Sequence, residues 1–204
     1  MTATKPGPEL IDPTGTTSGH VLTSTGGSTA PTFQAGAGGW SFVSAFTASG
    51  GATVDFTGLA SGYDYQLCAY GVQPSGTTPA PYMLYGTGGT PTYQTSSYAY
   101  SSDGNNNGTQ QQDESVSASF IELTSDGVLL SEFCAFIFTV LNPADSGNYT
   151  ECFWKLLRER SSNIGNYDGA GRRKVNEAVT AIRFKFSSGN VTVGEFKLYR
   201  RANA

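Results

Sequence analysis

The sequence predicts an all-β chain, a two-sheet antiparallel sandwich (jelly roll) preceded by an extended N-terminal arm. Three observations carry the prediction. Twenty-six Gly, twelve Phe and eleven Tyr, beside only 14% charged residues, favour strands and turns over helices. Apolar residues recur with period two, most clearly in Ala178–Arg201, where Ile182, Phe184 and Phe186 share one face and Arg183 and Lys185 take the other. Turn signals such as Gly50-Gly51, Ser61-Gly62, Pro74-Ser75-Gly76, Asp126-Gly127 and Asn142-Pro143 punctuate the chain at short intervals.

Taken in order, residues 1–39 are rich in Gly, Pro, Thr and Ser and hold too few large apolar residues to build a core, so they form an arm. Within it, Val21-Leu22-Thr23 and Pro31-Thr32-Phe33 flank a Gly26-Gly27 turn, and two strands so short need partners to be stable. Gly36-Ala37-Gly38-Gly39 is the linker, and Trp40 opens a second unit, 40–204. Its expected strands are Trp40–Phe46, Ala52–Phe56, Tyr63–Val72, Tyr82–Thr87, Tyr98–Ser101, Val116–Thr124, Cys134–Leu141 and Cys152–Arg160. A terminal hairpin about Ser187-Ser188-Gly189-Asn190 follows, its second strand carrying Phe196 and Leu198 on one face, with Gly194 able to absorb a change of phase. Nine or ten strands in about 160 residues imply two packed sheets, and the long excursions at 73–97, 102–115 and 161–176 suit crossings between them. Val175–Thr180 is the one segment that could form a helical turn.

Charge is lopsided along the chain: residues 1–154 hold one base and twelve acids, residues 155–204 eleven bases and four acids. The basic part could be a nucleic-acid patch centred on Arg158, Arg160, Arg172, Arg173 and Lys174. The preferred reading places opposite signs side by side on neighbouring strands or subunits, because the bases alternate with core residues. Cys68, Cys134 and Cys152 lie in expected strands without a CxxC pair and read as reduced, buried thiols. No apolar run approaches the roughly 20 residues of a membrane span, and the start lacks signal-peptide features, so the expectation is a chain made in the cytoplasm without membrane insertion. The three N-x-[ST] sequons, at Asn107, Asn148 and Asn190, would then carry no glycan.

Candidate chemistry is sparse, and no cofactor is expected. His20, the one histidine, sits in the arm without a fixed partner, which argues against nucleophilic catalysis through a His base. A carbohydrate-active enzyme would need two converging carboxylates, and Asp113-Glu114 is the only adjacent pair, with side chains that point apart on an extended chain. Asp103, Asn105, Asn107 and Glu114, with Gly108, satisfy the EF-hand loop pattern and are a weak calcium candidate. Against it, the flanks read as strands and Gln110 stands where the pattern wants an apolar residue, so a disordered polar loop is the preferred reading. Tyr82, Tyr85, Tyr93, Tyr98 and Tyr100 cluster near the 73–97 excursion and are candidates for contact with a saccharide or protein receptor.

Residues 19–34, GHVLTSTGGSTAPTFQ, resemble a short motif of bacteriophage tail-fibre and other virion proteins, roughly G-x-V-L-T-S-x-G-x-x-x-A-P-T-[WF]-x. Residues 40–204, especially DFTGLASGYDYQL near the start and AIRFKFSSGN with GEFKLY at the end, resemble jelly-roll domains encoded in phage structural gene clusters. The resemblance implies a non-enzymatic virion protein, assembled in the host cytoplasm and commonly a homotrimer. Val21, Leu22, Pro31 and Phe33 of the arm would then dock it to other virion proteins and trimerise it. The implied role is attachment as a short tail fibre that meets a host surface glycan or protein, with a capsid decoration protein or head fibre as the alternative.

Overall fold

The computed structural model describes residues 20–23, 32–35, 39–160 and 163–203, all of them in strands, turns or irregular segments. The chain divides into two units, Met1–Gly39 and Trp40–Ala204. In the first, β1 (His20–Thr23) pairs antiparallel with β2 (Thr32–Ala35), Leu22 opposite Phe33 and Val21 opposite Gln34. These are the two short strands expected of the arm; Pro31 and the Gly26-Gly27 turn lie outside the described residues.

The second unit is a sandwich of two antiparallel sheets. Its strands are β3 (Ser41–Thr47), β4 (Thr53–Thr57), β5 (Tyr63–Pro74), β6 (Pro81–Thr87), β7 (Thr92–Tyr93), β8 (Tyr98–Asn106) and β9 (Thr109–Ala118), followed by β10 (Ile121–Glu122), β11 (Cys134–Leu141), β12 (Thr150–Arg160), β13 (Asn163–Arg173), β14 (Val179–Phe186) and β15 (Val191–Ala202). The broad sheet runs β3-β15-β5-β11-β12-β13-β8-β9, and the small one β10-β6-β14-β4, with β7 beside β6. Eight of these strands are nested: β3 pairs β15, β4 pairs β14, β5 pairs β11 and β6 pairs β10. This is the path of a jelly roll, a long hairpin rolled so that its halves alternate between two sheets. The strands β8, β9, β12 and β13 lie outside the nest and widen the broad sheet beyond β11.

Alternation explains the layers. Tyr65, Leu67, Ala69 and Val72 of β5, Phe136, Phe138 and Val140 of β11, and Phe196 and Leu198 of β15 turn inward from the broad sheet. Val54, Phe56, Met83, Tyr85, Ile182, Phe184 and Phe186 meet them from the small one. Phe184 packs 5.1 Å from Phe136 and 5.4 Å from Phe196, ring centre to ring centre. Under the widened part, Trp154 is buried beside Phe138 and its indole N–H donates to the carbonyl of Leu123 at 2.9 Å. A buried indole finds a partner in this way because an unpaired donor is costly.

Four expectations are corrected. Ser187–Asn190 does not close a hairpin: β14 and β15 lie in different sheets, so their apolar faces oppose each other across the core. The excursions at 102–115 and 161–176 are not crossings between sheets: the first is the arms of a β8–β9 hairpin turning at Asn107-Gly108, and the second is mostly β13, paired with β12 in the same sheet. The expected strand Val116–Thr124 breaks at 119–120, where the chain leaves the broad sheet for the small one. Residues 175–178 form no helical turn, and Val179 already begins β14. The phase change at Gly194 is present, with register shifts between Val191 and Glu195 on β5 and a φ of 147° at the glycine.

Candidate interaction surface

The outward-facing residues of the broad sheet build the candidate surface. On β11 the odd positions Ala135 and Ile137 point away from the core; on β12 Phe153, Lys155 and Leu157 do so; on β13 Ile164, Asn166, Asp168 and Ala170. Register then places Cys68, Ile137, Lys155, Asp168 and Asp103 side by side across five strands. Ile137, Phe153, Leu157 and Ile164 are all exposed, Ile164 at 61%. Three shallow, open hollows lie along this face. One, between β5, β11 and β12, has Tyr70, Ala135, Ile137 and Leu157 in its wall; the next adds Phe133 and Ile164; the third lies around Phe153, Ala170 and Val116. Exposed apolar residues on neighbouring strands, with Lys155 and Asp168 paired at 3.1 Å among them, suit a broad macromolecular contact.

The tyrosines do not form the surface expected of them. Tyr85 and Tyr98 are 0% exposed and Tyr100 is buried. The Tyr98 hydroxyl accepts from the backbone N–H of Tyr85 at 2.8 Å and donates to the carbonyl of Gln94 at 3.3 Å, so it is a core strut. The two half-buried members have their ring faces occupied. Tyr82 stacks on Phe120 at 3.7 Å, and the Arg183 guanidinium lies 3.6 Å above Tyr93. The reason is the strand period: β6 and β8 each face the core with alternate residues, and the aromatic alternation that looked like a contact surface is the buried face.

The calcium candidates also separate. Asp103 and Asn105 lie along β8, Asn107 is in the turn, and Glu114 pairs back opposite Ser101, so they are strung along a ladder instead of wrapping a centre. The Asn105 carboxamide oxygen accepts from the Gly108 N–H at 2.8 Å, and Asp103 accepts from Gln112 at 2.8 Å. Among the described residues no three His, Cys, Asp or Glu side chains gather closely enough to hold a metal ion.

One cluster is built from residues of three strands. The Tyr100 hydroxyl donates to Glu122 at 3.0 Å and lies 3.4 Å from Asp113, joining β8 and β9 of the broad sheet to β10 of the small one. Burial, and then the nearby Asp113 charge, push the Glu122 carboxyl above its ordinary 4.5, against the lowering effect of the Tyr100 bond. Asp113 and Glu122 are nine residues apart and on different sheets, so only the crossing at 119–120 brings them together.

The five basic residues singled out in the sequence do not gather into one patch. Arg158 and Arg173 point inward and are buried, Arg158 donating to the carbonyl of Gly127 and Arg173 paired with Glu177. Arg158 and Arg173 also stand near opposite ends of the β12–β13 pair. Opposite signs do lie on neighbouring strands: Arg183 forks onto Asp55 at 2.7 and 2.6 Å, Arg201 reaches Asp64 at 2.8 Å, and Arg172 reaches Glu151 at 3.9 Å. Cys134 and Cys152 are buried thiols raised to about 12 by that burial, whereas Cys68 faces outward and is half-buried. No protein-family model matches the chain, and no curated protein matches it.

Proposed function

We propose that this chain is a non-enzymatic structural protein of a bacteriophage particle, a homotrimeric short tail fibre whose residues 1–39 dock it and whose jelly roll meets the host surface. The observation that carries the reading is the outer face of the broad sheet, where Ile137, Phe153, Leu157 and Ile164 stand exposed around shallow hollows. A face of this kind fits a large, gently curved target better than a small molecule, which needs enclosure on most sides. The paired β1 and β2 support a docking role for the arm, because two four-residue strands bury too little to stand alone. The receptor contact moves accordingly from the tyrosines to this face.

A second reading, a capsid decoration protein or head fibre, is favoured by the breadth of the same face, which would equally suit a protein lattice. Electron microscopy of particles labelled with antibody against residues 40–204 separates the two. Gold at the tail supports the fibre, gold over the head supports decoration, and unlabelled particles overturn both. Removal of residues 1–36 is expected to leave a folded domain that no longer enters particles; normal incorporation would remove the arm from the docking role.

A further inference from the structure

The two edges of the broad sheet differ in a way that assigns the contact between copies. β3 is one edge, with the sequence SFVSAFT: it has no charge and no proline, and six of its seven residues are exposed, Phe42 at 61%. Soluble sheets guard their edges with charges, prolines or bulges, since an open row of N–H and C=O groups recruits another strand. The one irregularity in β3 lies at Val43 in its register with β15, and none of its side chains supplies a guarding charge. The opposite edge is β9, TQQQDESVSA, which has two acids and no base.

Charge sorts the edges. On β15, next to β3, Lys197 and Arg200 sit over the rings of Tyr70 and Tyr63 and neither is in an ion pair among the described residues, while Glu195 of the same strand accepts from the Thr47 hydroxyl and leaves this edge positive on balance. At the other edge Asp103, Asp113 and Glu114 are likewise in no ion pair among them, and they outnumber Lys174, whose ammonium donates to the carbonyl of Val116 on β9. We propose that β3 of one copy of this chain docks along β9 of the next. Pairing β3 with a second β3 would bring the cations of both copies together, whereas β3 on β9 brings them to unpaired acids. The edges are seven strand spacings apart, about 34 Å at about 4.8 Å each. Each copy therefore uses both edges, and the head-to-tail contact leaves none open only when it closes into a ring. The inference deepens the homotrimer of the preceding section and rests on it, a ring of three copies being one that closes the contact.

Cysteines placed on the two edges test it in the full chain carrying Cys68→Ala. Ala45 and Gln112 both point to the outer face, so Ala45→Cys together with Gln112→Cys is expected to give oxidised species of two and three chains on non-reducing gels. Each single variant should give none, and a mixture of the two singles only dimers. Lys197→Glu should weaken association at least tenfold in light-scattering dilution, and adding Glu114→Lys should recover most of it. Three chains by light scattering without cross-links from the double variant would overturn the β3–β9 contact and leave the homotrimer standing. Cross-links from Ala45→Cys alone would replace it with a β3–β3 contact, and a monomer at all concentrations would overturn both readings. Association that appears only once residues 1–39 are removed would show that the arm covers the edge, which also overturns the proposal.

Discussion

At the scale of single residues, the widened part of the sheet depends on atoms that are missing. Gly169 stands directly opposite Trp154, and a Cβ there would fall 2.2 Å from the indole ring; Gly104, opposite Tyr167, would be equally close to the phenol. The rings lie across the glycines and cover backbone that would otherwise be bare. Gly169→Ala is therefore expected to cost about 2 kcal/mol through overpacking, lowering the melting temperature by about 4–8 °C. A second residue-scale expectation concerns Glu122. Because its carboxyl titrates above the ordinary value when folded, the folded state holds the extra proton and gains stability as pH falls through that raised value toward about 4.5. Above it the charged form is a burden. Glu122→Gln should accordingly raise the melting temperature near neutral pH, with the difference from wild type shrinking toward pH 4.5; a difference constant with pH would remove the linkage. Period two made Trp154 legible as an inward residue, but its glycine partner was not legible, since cross-strand register is a property of two distant segments.

At the scale of elements, the β8–β9 hairpin shows how one local signal can imitate another. Asn107 and Gly108 have φ values of 53° and 81°, the pair of positive angles that a two-residue hairpin turn of type I′ requires. The same Asn-Gly, flanked by Asp103, Asn105 and Glu114, also spells an EF-hand loop, and the flanking strands decide the matter. Millimolar calcium is expected to leave the melting temperature of the 40–204 domain unchanged. Gly108→Val, by contrast, should lower it by about 2–8 °C, since a β-branched residue at this angle costs on the order of 1–2 kcal/mol. Strand existence was read well where alternation was strong, as in Cys134–Leu141, whose bounds match. The connection at 187–190 is not legible in the sequence, because a four-residue turn looks alike whether it joins neighbours in one sheet or spans two. Both flanking strands have a complete apolar face, Phe184 and Phe186 on one and Phe196 and Leu198 on the other, a pattern that a hairpin on a core and two opposed layers share.

At the scale of the whole molecule, the lopsided charge becomes a trace of topology. Asp55 and Asp64 lie in the acidic part of the sequence, and Arg183 and Arg201 in the basic part, yet each acid meets its base because β4 pairs β14 and β5 pairs β15. Opposite signs facing each other on β4 and β14, and on β5 and β15, favour these nested pairings. The outer apolar face was not legible in this way, because Ile137, Phe153 and Leu157 belong to strands that read as amphipathic only once their inward partners are assigned. The position of β15 has a further consequence. It lies between β3 and β5, so until Val191–Ala202 has left the ribosome those two strands have no common neighbour and the sheet is split. Synthesis at about 5–20 residues per second leaves β3 and β5 waiting about 6–30 seconds with unpaired edges. Until Val191–Ala202 is made, the nascent chain is thus open to capture by chaperones or by copies of itself on the same polysome.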